Sequence, residues 1–234
     1  MTIYLAMDDT DNLDSRGTGK LARAAASAIA KEYPVKGVTR HQLFVHEDIP
    51  FTSHNSCGVI HIEASGNDAK EWIFETAKEV MLDDFIDGSD PGIAVAGRED
   101  IKEPLISFGR DAQRVVLNQE KARTLAKNLG IRLEGLGGTE DGVIGTMAGL
   151  GLACTLNDGR YLMLGKIREM TGPAEVSTLL DAGIDVVYTM DGRRVNDGLI
   201  IIAEGKSAKP CPVDGRAVLF VEEIDGEYHA VKRG

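Results

Sequence analysis

The sequence predicts an α+β fold in two domains, and three observations support this prediction. The chain has 234 residues, enough for one large or two small domains, and 43% of them are apolar and can form a core. In the first half, short apolar runs typical of strands alternate with longer helical patterns in the order β-α-β-β-α-β. This order is typical of a ferredoxin-like domain, in which two helices cover one face of an antiparallel sheet.

Each element of the first half has a local signal. Pro34 ends an alanine-rich helix, Asn67 caps the next helix, and a turn cluster over 87–92 precedes the last strand. In this topology we expect the loop after the first strand and the loop between the second and third strands to meet near one end of the sheet. The predicted elements are a strand over 3–7, a helix over 19–32, strands over 35–45 and 59–64, a helix over 67–81 and a strand over 93–96.

The second half begins between Arg98 and Asp111, which gives predicted domains of residues 1–105 and 106–234. An apolar, glycine-rich segment over 143–151 fits either a tightly packed helix or a helix–strand junction. The other predicted elements are a helix over 119–128, strands over 152–156 and 161–164 around an Asp-Gly turn, a helix over 173–180, and strands over 186–188, 199–203 and 217–221.

Composition narrows the classes of function. The chain has 26 basic and 37 acidic residues and a net charge of −11. Because nucleic-acid binders usually carry a basic face, this balance favours a small-molecule or metal–nucleotide ligand over RNA. The three cysteines are far apart, which predicts unpaired thiols in a reducing cytoplasm. The sequence shows no membrane-spanning window and no basic leader, so we expect a cytoplasmic protein.

The most informative motif is an acid loop, Asp8, Asp9, Thr10 and Asp11, directly after the first strand. Carboxylates at the end of a buried strand need a partner, because desolvating a charge is costly. Mg²⁺, held by carboxylates together with substrate phosphates, is the usual partner. The alternative is that these acids only form a turn or cap a helix. We predict that the three aspartates bind the metal and are catalytic.

A predicted phosphate-binding segment follows the acid loop. Backbone N–H groups at the start of the helix, together with Arg16 and Lys20, suit nucleotide phosphates. Lys20 is either a solvated lysine or a catalytic residue, and its unfavourable place at the positive end of the helix dipole favours an anionic partner. The predicted nucleotide-binding residues of this part of the chain are Thr10, Arg16, Gly17, Thr18 and Gly19.

A second candidate site is the glycine-rich loop over 135–141. Gly137 and Gly138 would let the backbone approach an anion or a small polar ligand closely. The glycines further along, within 145–151, fit equally a helix that packs closely against a sheet. Both interpretations stay open on the sequence.

Four histidines fall within a short stretch, His41, His46, His54 and His61, but their spacing matches no zinc-binding pattern. His61 is expected to be structural, and Cys57 a small buried thiol. Arg40 and His54 remain candidate contacts for a phosphate or a substrate.

Five motifs in the same order resemble the archaeal tRNA-isoleucine agmatinylcytidine synthetase family, whose members use ATP to attach agmatine to C2 of the wobble cytidine. The match covers almost the whole chain. The matching segments are Asp8-Asp9-Thr10-Asp11 with Ser15-Arg16-Gly17, Asp48-Ile49-Pro50-Phe51, Val80–Asp84 with Asp90-Pro91-Gly92, Gly142–Ala148, and Pro210-Cys211-Pro212-Val213.

The resemblance implies a kinase-like nucleotide-binding domain followed by a ferredoxin-like α+β domain. It also implies that the acid loop binds Mg²⁺ and ATP, that a small amine lies in the cleft between the domains, and that His54 matches a basic residue of the family. It is in two respects that the sequence departs from the family pattern.

We expect a shortened form that lacks the family's OB-fold and zinc ribbon. The family's phosphorylated threonine falls on Lys20, although Thr18 lies two residues earlier.

The leading hypothesis is therefore an ATP- and Mg²⁺-dependent, ligase- or kinase-like enzyme that transfers a phosphoryl or nucleotidyl group to a small polar or cationic substrate. One alternative is a non-catalytic nucleotide-sensing or RNA-associated module. Another is a tRNA-modifying subunit that needs a partner for RNA binding. A homodimer is compatible with the sequence.

Overall fold

The computed structural model describes residues 1–10, 17–49, 55–85 and 87–232, and it confirms the predicted α+β class. The chain forms two compact units, Met1–Thr155 and Leu156–Gly234. The division lies well beyond the boundary expected near residue 105. The reason is that the helices that follow residue 102 pack on the first sheet and complete its core.

The first unit contains an antiparallel sheet with the strand order β5-β4-β1-β3-β2, in which each strand pairs antiparallel with its neighbours. Its first six elements follow the predicted β-α-β-β-α-β order. In chain order the elements are β1 (Thr2–Asp8), α1 (Thr18–Ile29), β2 (Val35–Gln42), β3 (Ser56–Glu63), α2 (Asn67–Asp83), β4 (Gly92–Gly97), α3 (Glu103–Asp111), α4 (Gln119–Leu129), β5 (Arg132–Gly135) and α5 (Gly142–Cys154).

Helices cover both faces of this sheet. Tyr4 and Ala6 of β1 share a core cluster with α3, α4 and α5. Since successive side chains of a strand point to opposite faces, the alternate residues Ile3 and Leu5 face the other layer, where α1 and α2 pack together. The close approach of Gly58 in β3 to α1 places that helix on this second face.

Helix α5 lies at the centre of the unit and is buried on almost every side. A Cβ atom at Gly149 would lie 2.8 Å from Cys57 Sγ, and one at Gly151 would overlap the carbonyl of Leu105. Of the two interpretations of this glycine-rich segment, the structure supports close helix packing. The glycines let α5 approach the sheet on one side and α3 on the other.

The second unit is mainly β-structure around one mixed sheet, with the strand order β7-β10-β13-β12-β8-β9 and β11 paired with β12. Its only helix among the described residues has six residues, so the unit differs from the ferredoxin-like domain that was expected. Its elements are β6 (Arg160–Met163), β7 (Ala174–Glu175), α6 (Val176–Asp181), β8 (Val186–Thr189), β9 (Arg194–Val195), β10 (Leu199–Ile201), β11 (Cys211–Val213), β12 (Arg216–Ile224) and β13 (Glu227–Ala230).

Within the described ranges, no helix is both long and apolar enough to cross a lipid bilayer.

Candidate functional site

A cavity of about 490 Å³ opens at the end of β1, on the face of the sheet that carries α5. The end of β1, the β2–β3 connection, the segment between α3 and α4, and the start of α5 form its walls. The sequence-based expectation that the loops after β1 and between β2 and β3 meet at one end of the sheet is confirmed. The described residues that line the cavity are Asp8, Asp9, Leu43, Asp48, Ile49, Asn55, Ser56, Ala112, Val115, Val116, Leu117, Asn118, Gln119, Glu120, Asp141, Gly142, Ile144 and Gly145.

Asp8 ends β1 and is only 8% exposed, yet it lines the cavity. A side chain at Gly145 would overlap the Asp8 carboxylate, so this carboxylate lies against the first turn of α5. The N-terminal end of a helix carries a partial positive charge, which favours a nearby carboxylate. Asp9 follows with a φ of 51°, a left-handed conformation that is uncommon for a residue other than glycine. The backbone therefore turns sharply where the two carboxylates enter the cavity.

Thr10 is buried, and its Oγ1 atom has no hydrogen-bond partner among the described residues. Asp11, Arg16 and His54, which the sequence analysis also assigned to the site, lie outside the described residues. Within the described ranges, no group of three or more His, Cys, Asp or Glu side chains is placed to hold a metal ion. Since the predicted metal set includes Asp11, it stays a prediction.

The start of α1 does not contribute to the described lining of the cavity. Gly17 precedes the helix with a φ of 82°, and Lys20 in the first turn is exposed. No acidic residue lies in that turn. Because α1 packs on the other face of the sheet, Gly17, Thr18, Gly19 and Lys20 lie on the opposite layer from α5.

Arg40 is linked to the edge of the cavity by a hydrogen bond to Ser56. Its Nε donates a hydrogen bond of 2.7 Å to Ser56 Oγ, and Ser56 lines the cavity. Arg40 is thus connected to the site, while its own side chain is not among the lining residues.

The predicted glycine loop stands beside the cavity. Gly138 has a φ of 60°, and a Cβ atom at Gly137 would lie 2.8 Å from the ring of Phe85. The carboxylate of Asp90 accepts a hydrogen bond from the backbone N–H of Thr139. The two glycines therefore allow close packing of the loop, and the loop contributes Asp141 to the cavity. Contact of Gly137 and Gly138 with a ligand stays a prediction.

Helix α4 is hydrogen-bonded to this loop. Gln119 Nε2 donates to the carbonyl of Thr139 and to Asp141 Oδ1, at 2.7 Å each. Arg123, one turn further along, pairs with Glu140 at 2.5 Å. These contacts connect one wall of the cavity to the start of α5.

The sequence analysis missed the wall between α3 and α4. The apolar residues Val115, Val116 and Leu117 form part of it, and the first two are 50% and 44% exposed. An apolar triplet in a connection between helices was the available signal, because a contiguous exposed apolar patch often marks a binding site.

The electrostatic character of the cavity is strongly acidic. Its described lining contains no Lys, Arg or His, and five carboxylates, those of Asp8, Asp9, Asp48, Glu120 and Asp141. Apolar side chains complete the walls. Such a cavity attracts cations and repels an anion that arrives without a metal.

His41 and His61 are buried and are not among the residues that line the cavity. Thr39 Oγ1 lies 2.8 Å from His41 Nε2 and 2.9 Å from His61 Nε2, and all three residues are buried in the sheet layer. Burial, together with the neighbouring His41, lowers the pKa of His61 to about 3. His61 is thus structural, as expected, and neutral.

No family model and no curated protein matches the chain, but solved structures do. Over 64% of its length, the fold is similar to that of apo TiaS, an agmatidine synthetase that acts on an isoleucine tRNA, with a TM-score of 0.55 and 21% identity. The TiaS complex with this tRNA and ATP gives a TM-score of 0.56 and 22% identity, and the complex with the tRNA, AMPCPP and agmatine gives 0.55 and 21%, each over 64% of the chain. These matches cover 35% to 36% of the TiaS chains, so this chain spans about a third of their length. The likeness shows a TiaS-like fold.

Proposed function

We propose that the chain is an ATP- and Mg²⁺-dependent, ligase- or kinase-like enzyme that transfers a phosphoryl or nucleotidyl group, with a small cationic substrate. The observation that carries the proposal is the acidic cavity at the end of β1, which Asp8 and Asp9 line together with the start of α5. The TiaS-like fold supports it, since one similar structure holds ATP and another holds AMPCPP together with agmatine. In this proposal Met1–Thr155 is the nucleotide- and metal-binding unit.

The donor set fits Mg²⁺. Two carboxylates and a buried hydroxyl, those of Asp8, Asp9 and Thr10, lie consecutively, and all three supply the hard oxygen ligands that this ion prefers. We propose that Asp8 and Asp9, with Asp11, hold the ion. When bound, Mg²⁺ would neutralise charge on the phosphates.

The nucleotide phosphates would lie toward the start of α1. The first turn of that helix carries Lys20 and no acidic residue, and helix N-termini favour anions. We propose that Thr10, Arg16, Gly17, Thr18, Gly19, Lys20, Arg40 and His54 contribute to this part of the site, with Lys20 as a point charge on a phosphate. The nucleotide phosphates would then lie on one side of the acid loop, and the cationic substrate would lie on the other side, in the cavity.

The cationic substrate would occupy the cavity itself. Asp48, Glu120 and Asp141 lie there together with the apolar residues Val116 and Ile144. Carboxylates suit an ammonium or guanidinium group, and apolar walls suit a short alkyl chain. The chemistry of the walls therefore favours an alkylamine.

Calorimetry tests the metal–nucleotide site. We expect wild type to bind ATP in the presence of Mg²⁺ and much more weakly without it. The Asp9→Asn variant should lose at least tenfold in affinity, while Asp181→Asn, an exposed aspartate at the end of α6, should bind as wild type. If Asp9→Asn binds as wild type, Asp9 is not a metal ligand. If no protein binds nucleotide, the proposal is wrong.

A second candidate is a tRNA-modifying subunit, because one similar structure is a complex of TiaS with its tRNA and ATP. The net charge of −11 weighs against RNA binding by the isolated chain. Filter binding to tRNA over a salt titration separates the candidates. Salt-sensitive binding would favour the tRNA role, and no binding at low salt would exclude it for this chain alone.

A further inference from the structure

We infer that Gln119, the first residue of α4, is a positioning residue that fixes the Asp141 carboxylate at the cavity wall and so sets the affinity of the cavity for a cation. The inference rests on the proposed cationic substrate. It assigns to α4 a role that no sequence motif indicated.

The hydrogen bonds of Gln119 determine the orientation of its amide. The two Nε2 protons go to the Thr139 carbonyl and to Asp141 Oδ1, at 2.7 Å each. Oε1 accepts from Arg123 Nη2 at 3.2 Å. A reversed amide would place an oxygen against two acceptors, so only one orientation is satisfied. Arg123 therefore fixes the side-chain amide of Gln119, and this amide in turn binds the loop over 137–141.

The loop over 137–141 needs this external support. Gly138 has a φ of 60°, and Glu140 has a φ of 63°, which is strained for a residue with a side chain. Asp90 binds the loop from one side through the N–H of Thr139. The contacts from Gln119 and Arg123 bind it from the other side.

Asp141 connects this support to the cavity. It lines the cavity and directly precedes α5, which begins at Gly142. With Oδ1 bound to Gln119, the carboxylate cannot rotate freely. A cation would thus meet a charge that is already oriented, and binding would not have to order it.

The experiment combines hydrogen exchange with calorimetry. Gln119→Met removes both donors without changing the charge, and Asn128→Met places the same side chain at an exposed position near the end of the same helix. Agmatine serves as the cationic probe, and exchange is followed in the amides of 137–142. We expect Gln119→Met to speed exchange in this segment and to raise the Kd for agmatine about tenfold. Asn128→Met should change neither.

A second variant guards against a general loss of folding. Arg123→Met removes the ion pair with Glu140 and the hydrogen bond to Gln119 Oε1 but keeps both donors of the Gln119 amide, so exchange should rise with a smaller change in Kd than in Gln119→Met. The inference is overturned if Gln119→Met exchanges faster but binds agmatine as wild type does, an outcome that leaves the proposed function standing. If wild type itself binds no agmatine, the cationic substrate is wrong, and the affinity role of Gln119 is wrong with it.

Discussion

The carboxylate of Asp8 occupies the space that a side chain at Gly145 would need. Asp8 ends the first strand, and Gly145 lies in the first turn of α5. Because Gly145 has no side chain, the Asp8 carboxylate can lie against this turn and line the cavity. This relationship makes Gly145 part of the site although it has no functional group.

Gly145→Ala should therefore disturb both stability and binding. The added methyl group forces Asp8 or α5 to move, and overpacking of this kind costs about 1–3 kcal/mol. We expect a lower urea midpoint and weaker Mg²⁺–ATP binding. Gly149→Ala is the matched control, because its methyl group would meet Cys57 and Val59 in the core. That variant should lose stability but keep the affinity of the folded protein, and equal affinity in both variants would contradict the prediction.

The Asp9→Gly variant should show opposite effects on stability and binding. Its φ of 51° disfavours most side chains, at a cost of about 1–2 kcal/mol. Asp9→Gly should raise the thermal midpoint and Asp9→Ala should lower it, since only glycine adopts this conformation without strain. Both variants should lose Mg²⁺-dependent ATP binding in calorimetry. A stabilised Asp9→Gly that still binds would remove Asp9 from the proposed metal site.

Stability should fall in mild acid because of His61. Its folded-state pKa of about 3 lies below the unfolded value near 6.5, so the unfolded chain binds more protons between these values. The stability contributed by the neutral form is complete above pH 6.5 and is lost as the pH falls toward 3. Between pH 7 and pH 5 this amounts to about 2 kcal/mol.

Urea denaturation at the two pH values measures this loss. His61→Gln should flatten the dependence, because glutamine does not titrate. His229→Gln, at a partly exposed position in β13, should keep the slope of wild type. Identical slopes in wild type and His61→Gln would show that another group is responsible.

Arg132 should contribute more to stability than a typical surface arginine. Its guanidinium lies within 2.5–2.8 Å of carboxylate oxygens of Glu71, Glu75 and Glu134, and 3.7 Å from the ring centre of Phe74. Partial burial raises the pKa of Glu134, but hydrogen bonds from Lys78 and Arg132 outweigh it and hold that pKa below its usual value.

Arg132→Met should therefore lower the free energy of unfolding by about 1–3 kcal/mol, with a smaller loss at high salt. Urea denaturation at two salt concentrations measures both effects. Arg110→Met is the control, since Arg110 pairs with Glu103 at 3.7 Å and both side chains are exposed. A loss no larger than that of the control would contradict a structural role for Arg132.

The sequence predicted the elements with strong local signals. Strands β1 to β4, helix α2, and helix α4 ending at the left-handed Gly130 are confirmed, but the cap of α2 is Gly66, and Asn67 is already the first residue of the helix. In the second unit, β8, β10 and β12 lie where apolar runs indicated strands, and Asp225 and Gly226, a dipeptide typical of tight turns, form the hairpin turn between β12 and β13.

Elements without a periodic pattern were missed or left open between two interpretations. Helix α5 is buried on almost every side, so no polar face marks it, and its last residues, through Cys154, were predicted as a strand. Helix α3 has only nine residues, and β5 has four that are all half-buried.

The site was predictable only in part, for a related reason. Asp8 and Asp9 follow one strand and form a motif, whereas Asp48, Glu120 and the 115–117 segment reach the cavity through tertiary packing. No spacing in the sequence relates residues that meet only because α3 and α4 fold over the sheet.

The hydroxyl of Thr39 has a consequence for the two imidazoles that it bridges. It carries one proton, and the Val59 carbonyl, at 3.5 Å, competes weakly for it against ring nitrogens at 2.8 and 2.9 Å. Thr39 therefore donates to one ring and accepts from the other, so one ring presents an unprotonated Nε2 and the other an Nε2–H. The buried chain of hydrogen bonds has a direction, and reversing it would require the Nε2 proton to be on the other ring.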